Sequence, residues 1–172
     1  MFLREFFNNI SLKKKKVLVT FTKVNLPYGW LGNMFSSKIR FEGKIWNTSE
    51  SLFQALRFEN EEIKEIIRNE KSPMGAKMKA KKYKKEMVLE PRSERDVLNM
   101  KLVVKLKFDQ NPNLKSKLKK MKDNIIIEDI GSRRGEHHLF WGMKKVNGQW
   151  IGDNRMGIIL MKIRDEYLKE EK

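Results

Sequence analysis

The chain has 172 residues, 40% of them hydrophobic and 35% charged, a length that fits one domain and an apolar share large enough to give it a core. It contains no cysteine, which excludes disulfides, thiolate metal sites and a cysteine nucleophile, and its two histidines, His137 and His138, are neighbours whose side chains are expected to diverge rather than chelate. The formal net charge of +16 favours a phosphate-bearing partner through its summed field; lysine-rich surfaces also arise from AT-rich coding sequence and from solubility, and both readings stand.

No run of about 18 apolar residues occurs, so no membrane span or membrane partner is expected. The opening residues put charge inside their apolar part and end in Lys13 to Lys16, the reverse of a secretory leader, which points to a cytoplasmic protein. Phe2, Leu3, Phe6, Phe7 and Ile10 recur at helical spacing and predict an amphipathic extension over residues 1–16, with the domain proper over 17–172.

From there the elements follow in order. Val17 to Val24 is a strand, and Asn25 to Asn33, with Pro27, Gly29 and Gly32, is the loop that leaves it. Lys38 to Phe41 and Lys44 to Trp46 flank Glu42-Gly43 and predict a hairpin. Asn47, Thr48 and Ser49 offer cap oxygens to a helix from about Glu50 to Glu59, with Leu52, Phe53 and Leu56 buried and Glu50 in the first turn, where the helix dipole favours an acid. Helices are predicted over Glu61 to Asn69, from Ser72-Pro73, from Ser93 to Phe108 and from Asn111-Pro112. Ile125 to Ile127 is a buried strand, Phe140 to Trp141 and Gln149 to Ile151 lie around an Asn147-Gly148 turn, and Met156 to Leu168 is a closing helix. The class is α+β, a single compact domain that is mostly helical with a small β-sheet.

Common catalytic patterns are missing: there is no Gly-x-Ser-x-Gly elbow, no Walker run, no dinucleotide glycine fingerprint and no His-Glu-x-x-His. Instead Trp, Gly, Asn, Gln and acidic residues gather at element ends, a mix suited to stacking and hydrogen-bonding a ligand without a metal or cofactor.

Four stretches, in order, resemble one family. Ile45 to Phe58 (IWNTSESLFQALRF) resembles the NADAR/YbiA hallmark of a Trp, then Ser/Thr-Glu, then Phe-Gln-Ala. Asn69 to Lys82 (NEKSPMGAKMKAKK) is similar to its Ser-Pro and Ala-Lys helix, and RSERDVLNMKLVVKLKFDQNPNLKSKL to its Asp, Lys, Lys-Phe and Asn-Pro pattern. Phe140 to Arg164 resembles the C-terminal Trp-Gly, Gly-x-Asn, Gly, Leu-Met and Arg signature. The resemblance runs from about Leu31 to Leu168, with departures at Val97, where the family often has Trp, and at Arg57, where it often has Lys.

It implies an N-glycosidase that hydrolyses a ribosyl C–N bond, either in ADP-ribosylated guanine, free or in DNA or RNA, or in phosphoribosylamino pyrimidine intermediates of riboflavin synthesis. The alternative is a module that binds ADP-ribose or nucleic acid without turning it over. Such hydrolysis builds oxocarbenium character at the ribosyl carbon, so a fixed carboxylate stabilises charge that exists only in the transition state. Glu50, at the family's Glu position, is the first candidate; taken without the family, it is a helix-start acid countering the dipole. Asp96 is the second, with helix capping as its rival role. For substrate binding, Trp46 and Trp141 are candidates to stack a ring, with core packing the ordinary use of such side chains. Gly142 permits close approach, Gly152 and Asn154 with Gly157 form a loop and helix start suited to phosphate, and Arg57, Lys77, Lys101, Arg133 and Arg134 are candidate diphosphate partners. Asn33 completes the set.

Overall fold

The computed structural model describes residues 16–170; the amphipathic stretch expected at the N-terminus lies outside the described residues. The first strand, β1 (Leu18–Phe21), runs parallel to β4 (Ile125–Glu128), with Phe21 opposite Glu128. Both strands bury apolar side chains, Val19 and Phe21 on one and Ile126 and Ile127 on the other, each no more than 4% exposed. The predicted hairpin is β2 (Ile39–Phe41) and β3 (Lys44–Trp46); its two turn residues, Glu42 and Gly43, have φ of 49° and 73°, the pair of left-handed conformations that a two-residue hairpin turn needs.

Helices α1 (Ser49–Ala55), α2 (Glu61–Arg68), α3 (Pro73–Lys82), α4 (Glu94–Asp109) and α5 (Pro112–Lys120) follow. Thr48, Asn60, Ser72 and Ser93 each accept a hydrogen bond from an N–H of the first turn of the helix they precede, and Pro73 and Pro112 stand at helix starts, so local capping sets most of the boundaries. Helix α1 ends four residues before the predicted Glu59. The chain turns away there because the Arg57 carbonyl accepts from the Val88 N–H, and Asn60 must be free to cap α2.

The C-terminal third is α6 (Glu136–Trp141), the hairpin β5 (Lys144–Val146) with β6 (Gln149–Ile151), and α7 (Arg155–Lys169). Phe140 and Trp141 close a helix instead of lying in a strand beside the Asn147-Gly148 turn. A two-residue turn makes its flanking residues the paired ones, so the partner of β6 begins at Val146. Among the described residues the β-structure is three two-stranded ladders, with Asp129 and Met143 bridging the end of β4 to the start of β5.

Helix α7 packs on β4, α4 lies against α1 and α7, and α1 sits among α2, α3 and α4. Their shared core includes Leu52, Phe53, Val103, Val104, Phe108, Leu160 and Ile163. The fold is α+β with more helix than strand, as the sequence predicts. No described helix is long and apolar enough to cross a membrane.

Candidate active site

Helix α1 puts Glu50 in its first turn, buried and only 6% exposed. One carboxylate oxygen accepts from Gln54 Nε2 at 2.8 Å, and the other accepts from Asn33 Nδ2 at 3.4 Å. Gln54 lies on the same face because residues four apart on a helix are neighbours. Asn33 is fixed independently: its backbone carbonyl accepts from the Glu50 N–H and the Ser49 hydroxyl, and its side-chain oxygen accepts from the same hydroxyl.

The chain of contacts continues inward. Gln54 Oε1 accepts from Arg57 Nη1 at 2.9 Å, and Arg57 grips Asp96 through Nε and Nη2, both at 2.9 Å. The Asp96 carboxylate, 0% exposed, also accepts from the Arg92 N–H at 2.7 Å. With both oxygens engaged inside the protein, Asp96 offers no surface to a substrate; it anchors Arg57, which stacks over Phe53 at 4.4 Å. Arg57 is likewise closed to diphosphate. The two residues form the root of a hydrogen-bonded line, Asp96 to Arg57 to Gln54 to Glu50.

Sequence reading missed the second carboxylate here. Glu128 ends β4, keeps about 20% of its side-chain surface exposed and lies 3.8 Å from Arg133. Burial pushes its carboxyl up to about 7; the charge of Glu50 adds to the rise, while Arg133 and Lys77 oppose it. Its signal was present as an acid closing a run of three isoleucines, but the strand alone does not tell which groups face it. Asn154, at a left-handed φ of 49°, donates to the Ile126 carbonyl at 2.8 Å and accepts from the Glu128 N–H at 3.1 Å. Its amide is therefore spent holding the strand that carries Glu128, not a phosphate.

Gly142 and Gly152 are also framework. A Cβ at Gly142 would collide with the Glu128 carbonyl oxygen, and one at Gly152, whose φ is 136°, with the Gly142 carbonyl oxygen. Gly157 is buried and meets the Ile126 carbonyl in the same way, so the first turn of α7 is pressed on β4. Backbone approaches backbone at these glycines, where the sequence suggested a ligand.

Trp141 remains half-buried, edge-on to Phe53 at 5.7 Å, and so joins the α1 cluster while keeping part of its ring open. Trp46 does not: it is 4% exposed in the core and presents no ring face for stacking, and its indole N–H has no hydrogen-bond partner among the described residues. Lys101 is drawn off to Glu166 at 2.7 Å, tying α4 to α7. Lys77 on α3 is half-buried, and its charge is felt at Glu128, His137 and His138.

The two histidines do not diverge: their ring centroids lie 3.9 Å apart with the rings tilted by 40°, on the six-residue α6 entered through Gly135 at φ 107°. Burial, then the charged neighbours, lowers both, and His138 falls to about 4, which leaves that ring neutral at pH 7. Next to them is a cleft of about 360 Å³ lined by Gly131, Ser132, Arg133, Arg134, Leu139 and Lys144 among others. Arg133 connects the cleft to Glu128, and its Nε and Nη2 are hydrogen-bonded to the Ile130 and Asp129 carbonyls, which leaves Arg134 as the freer guanidinium.

The family model for the NADAR domain matches residues 20–168. The chain belongs to the NADAR domain family. Among proteins similar to this NADAR domain, the N-glycosidase YbiA of Escherichia coli (strain K12) is 29% identical over 154 residues, which cover 90% of this chain and 91% of that protein. A riboflavin biosynthesis protein of Vibrio vulnificus (strain YJ016) is 27% identical over 139 residues, covering 81% of this chain but 35% of its own length. The solution NMR structure of Escherichia coli YbiA superposes on this NADAR domain with a TM-score of 0.70 at 26% identity, over 95% of this chain and 92% of that one.

Proposed function

We propose that this NADAR domain cleaves a ribosyl C–N bond in a phosphate-bearing compound, with Glu50 stabilising the sugar cation and Glu128 protonating the departing nitrogen. The chain is a hydrolase acting on N-glycosyl bonds; the substrate and the roles of individual residues are our reading. As the C–N bond breaks, positive charge develops at the ribosyl carbon, and the Glu50 carboxylate, already oriented by Gln54 and Asn33, meets that charge without reorganising. Nitrogen leaves as a neutral amine or amide once it takes a proton, and a carboxyl raised to about 7 keeps a substantial protonated fraction at neutral pH, which an ordinary carboxyl does not. Water then adds to the ribosyl carbon, and its proton restores the acid.

The observation that carries this reading is the pairing of a rigidly held carboxylate with a second, proton-retaining one inside its field. Around them, the half-open ring of Trp141 suits a flat leaving group, while Arg134, Lys144 and the cleft between them suit phosphates. This accommodates ADP-ribosylated guanine, in a nucleotide or in DNA or RNA, and phosphoribosylamino pyrimidine intermediates alike.

The test is incubation with each of these substrates, followed by mass analysis of the released sugar, for the wild type, Glu50→Gln and Asp96→Asn. Glu50→Gln should fold normally and lose about a hundred- to a thousand-fold in kcat, with KM little changed. Asp96→Asn breaks a buried ion pair and should cost about 3–5 kcal/mol of stability. Near-normal turnover by Glu50→Gln sinks the assignment; binding without product on every substrate makes the domain a reader of its ligand.

A further inference from the structure

From residue 71 to residue 85 the chain carries seven lysines and no acid, and this stretch is α3 with the turn that follows it. The helix buries Ala76 and Ala80, both 0% exposed, so its opposite face points outward. That face holds Met74 and Met78, each 54% exposed and four residues apart, with Lys81 and Lys82 beside them and Lys84 and Lys85 just beyond. Exposed methionines four apart on a lysine-rich face are not explained by solubility, which lysine alone supplies. Within this stretch Lys79 pairs with Glu70 at 3.6 Å and Lys82 lies 5.6 Å from the Tyr83 ring, while Lys81, Lys84 and Lys85 are exposed and supply the outward charge. On α5, Lys115 lies over the Tyr167 ring at 4.0 Å and beside Glu170, Lys117 faces Trp30, and Lys119 is also engaged.

We infer that the outward face of α3 is a docking surface for single-stranded nucleic acid, its lysines against the phosphates and Met74 and Met78 against unstacked bases. Charge complementarity selects a polyanion, since the whole chain is +16 and this stretch has no acid to repel a phosphate backbone. The methionines select among polyanions: an apolar side chain within a row of cations packs on the face of a base, which an acidic peptide does not offer. Lys77, on the flank of the same helix, is the link to the site, because its charge reaches Glu128 and the histidines. A strand lying along α3 therefore runs beside the residue whose charge is felt at Glu128, one of the two carboxylates. The docking surface itself stands apart from the chemistry assigned to them and is tested on unmodified nucleic acid.

The experiment is fluorescence anisotropy of the intact protein with a labelled single-stranded oligonucleotide of mixed sequence, from low to moderate salt. Three variants are compared with the wild type: Lys81→Gln/Lys82→Gln/Lys84→Gln, Met74→Gln/Met78→Gln, and Lys120→Gln/Lys122→Gln as a charge control on the α5 side. Binding should follow a log-log salt slope of about −0.7 per phosphate contacted. The α3 lysine variant should bind roughly tenfold more weakly or worse, with a shallower slope. The methionine variant should bind more weakly with the slope unchanged, and the control should match the wild type. Equal losses in the α5 control and the α3 lysine variant would mean that only net charge matters and would overturn the inference. So would poly-glutamate or phosphatidylserine vesicles bound as tightly as the oligonucleotide, or a methionine variant indistinguishable from the wild type. All substitutions lie on exposed side chains, so folding is checked by the unchanged melting transition of each variant.

Discussion

Burial raises the Glu128 carboxyl to about 7, and two linked consequences distinguish an acid that works from one merely tolerated. Between its ordinary value near 4.5 and about 7 the folded state holds a proton that the unfolded state has released, so this group's contribution to stability is lost as pH rises through that window. Glu128→Gln removes the titration and keeps the size. The variant should therefore be more stable than the wild type above pH 7 while being slower, a combination that a structural residue does not give. In the wild type kcat/KM should fall as pH rises past about 7, and this limb should be absent in the variant. A matched set of pH-rate profiles and melting curves reads both effects; an alkaline limb that persists in Glu128→Gln removes the residue from proton transfer.

At the level of elements, local grammar was legible and long-range assembly was not. The Glu42-Gly43 turn and the Ser72 and Ser93 caps depend on residues within a few positions of one another, and they stand as the sequence predicts. Glu50 was found through a motif on its own helix, but its support comes from Asp96, joined to Arg57 across 39 positions, and from Asn33, 17 positions before it. Glu128 was missed for the same reason: the parallel pairing of β1 with β4 and the packing of α7 on β4 set where it sits, within the field of Glu50, and neither is local in sequence. Trp46 and Trp141 show the converse, since residue type alone does not tell a core indole from one at a site. The glycines give a test at this scale. Gly142→Ala would force the α6 exit away from the Glu128 carbonyl, and an overpacked contact of this kind typically costs about 1–3 kcal/mol. Because the backbone that moves is that of Glu128, kcat should fall as well. Gly148→Ala, in the open β5–β6 turn at φ 82° with nothing close to a new Cβ, should cost only the strain of its conformation and leave kcat unchanged, as measured by denaturant melts and initial rates.

Across the whole molecule, the β1–β2 loop is held to the helical layer by a buried lysine, Lys107. It is 0% exposed on α4, and its Nζ donates to the Trp30 carbonyl at 2.6 Å and the Gly32 carbonyl at 2.9 Å, immediately before the Asn33 that supports Glu50. Phe35 and Phe108 rings lie 5.5 Å and 5.4 Å from it. A neutral amine retains two N–H donors, enough for both carbonyls, so deprotonation removes the charge without breaking the tie. Burial lowers Lys107 from 10.5 to about 7, which means that between those values the unfolded chain binds a proton that the folded chain does not. Stability contributed by this residue should accordingly be complete above about pH 10.5 and diminish as pH falls to about 7. Lys107→Met keeps the length, loses the titration and leaves two carbonyls without their donor, at about 1–3 kcal/mol each. The difference in unfolding free energy between wild type and Lys107→Met, which cancels the other lysines and tyrosines, should grow with pH across that window by up to about 1.4 kcal/mol per pH unit. Urea titrations at pH 7, 8 and 9 measure it. A difference that stays constant over the series would mean that Lys107 keeps its proton in the folded state, held by the two carbonyls and the aromatic rings against the cost of burial.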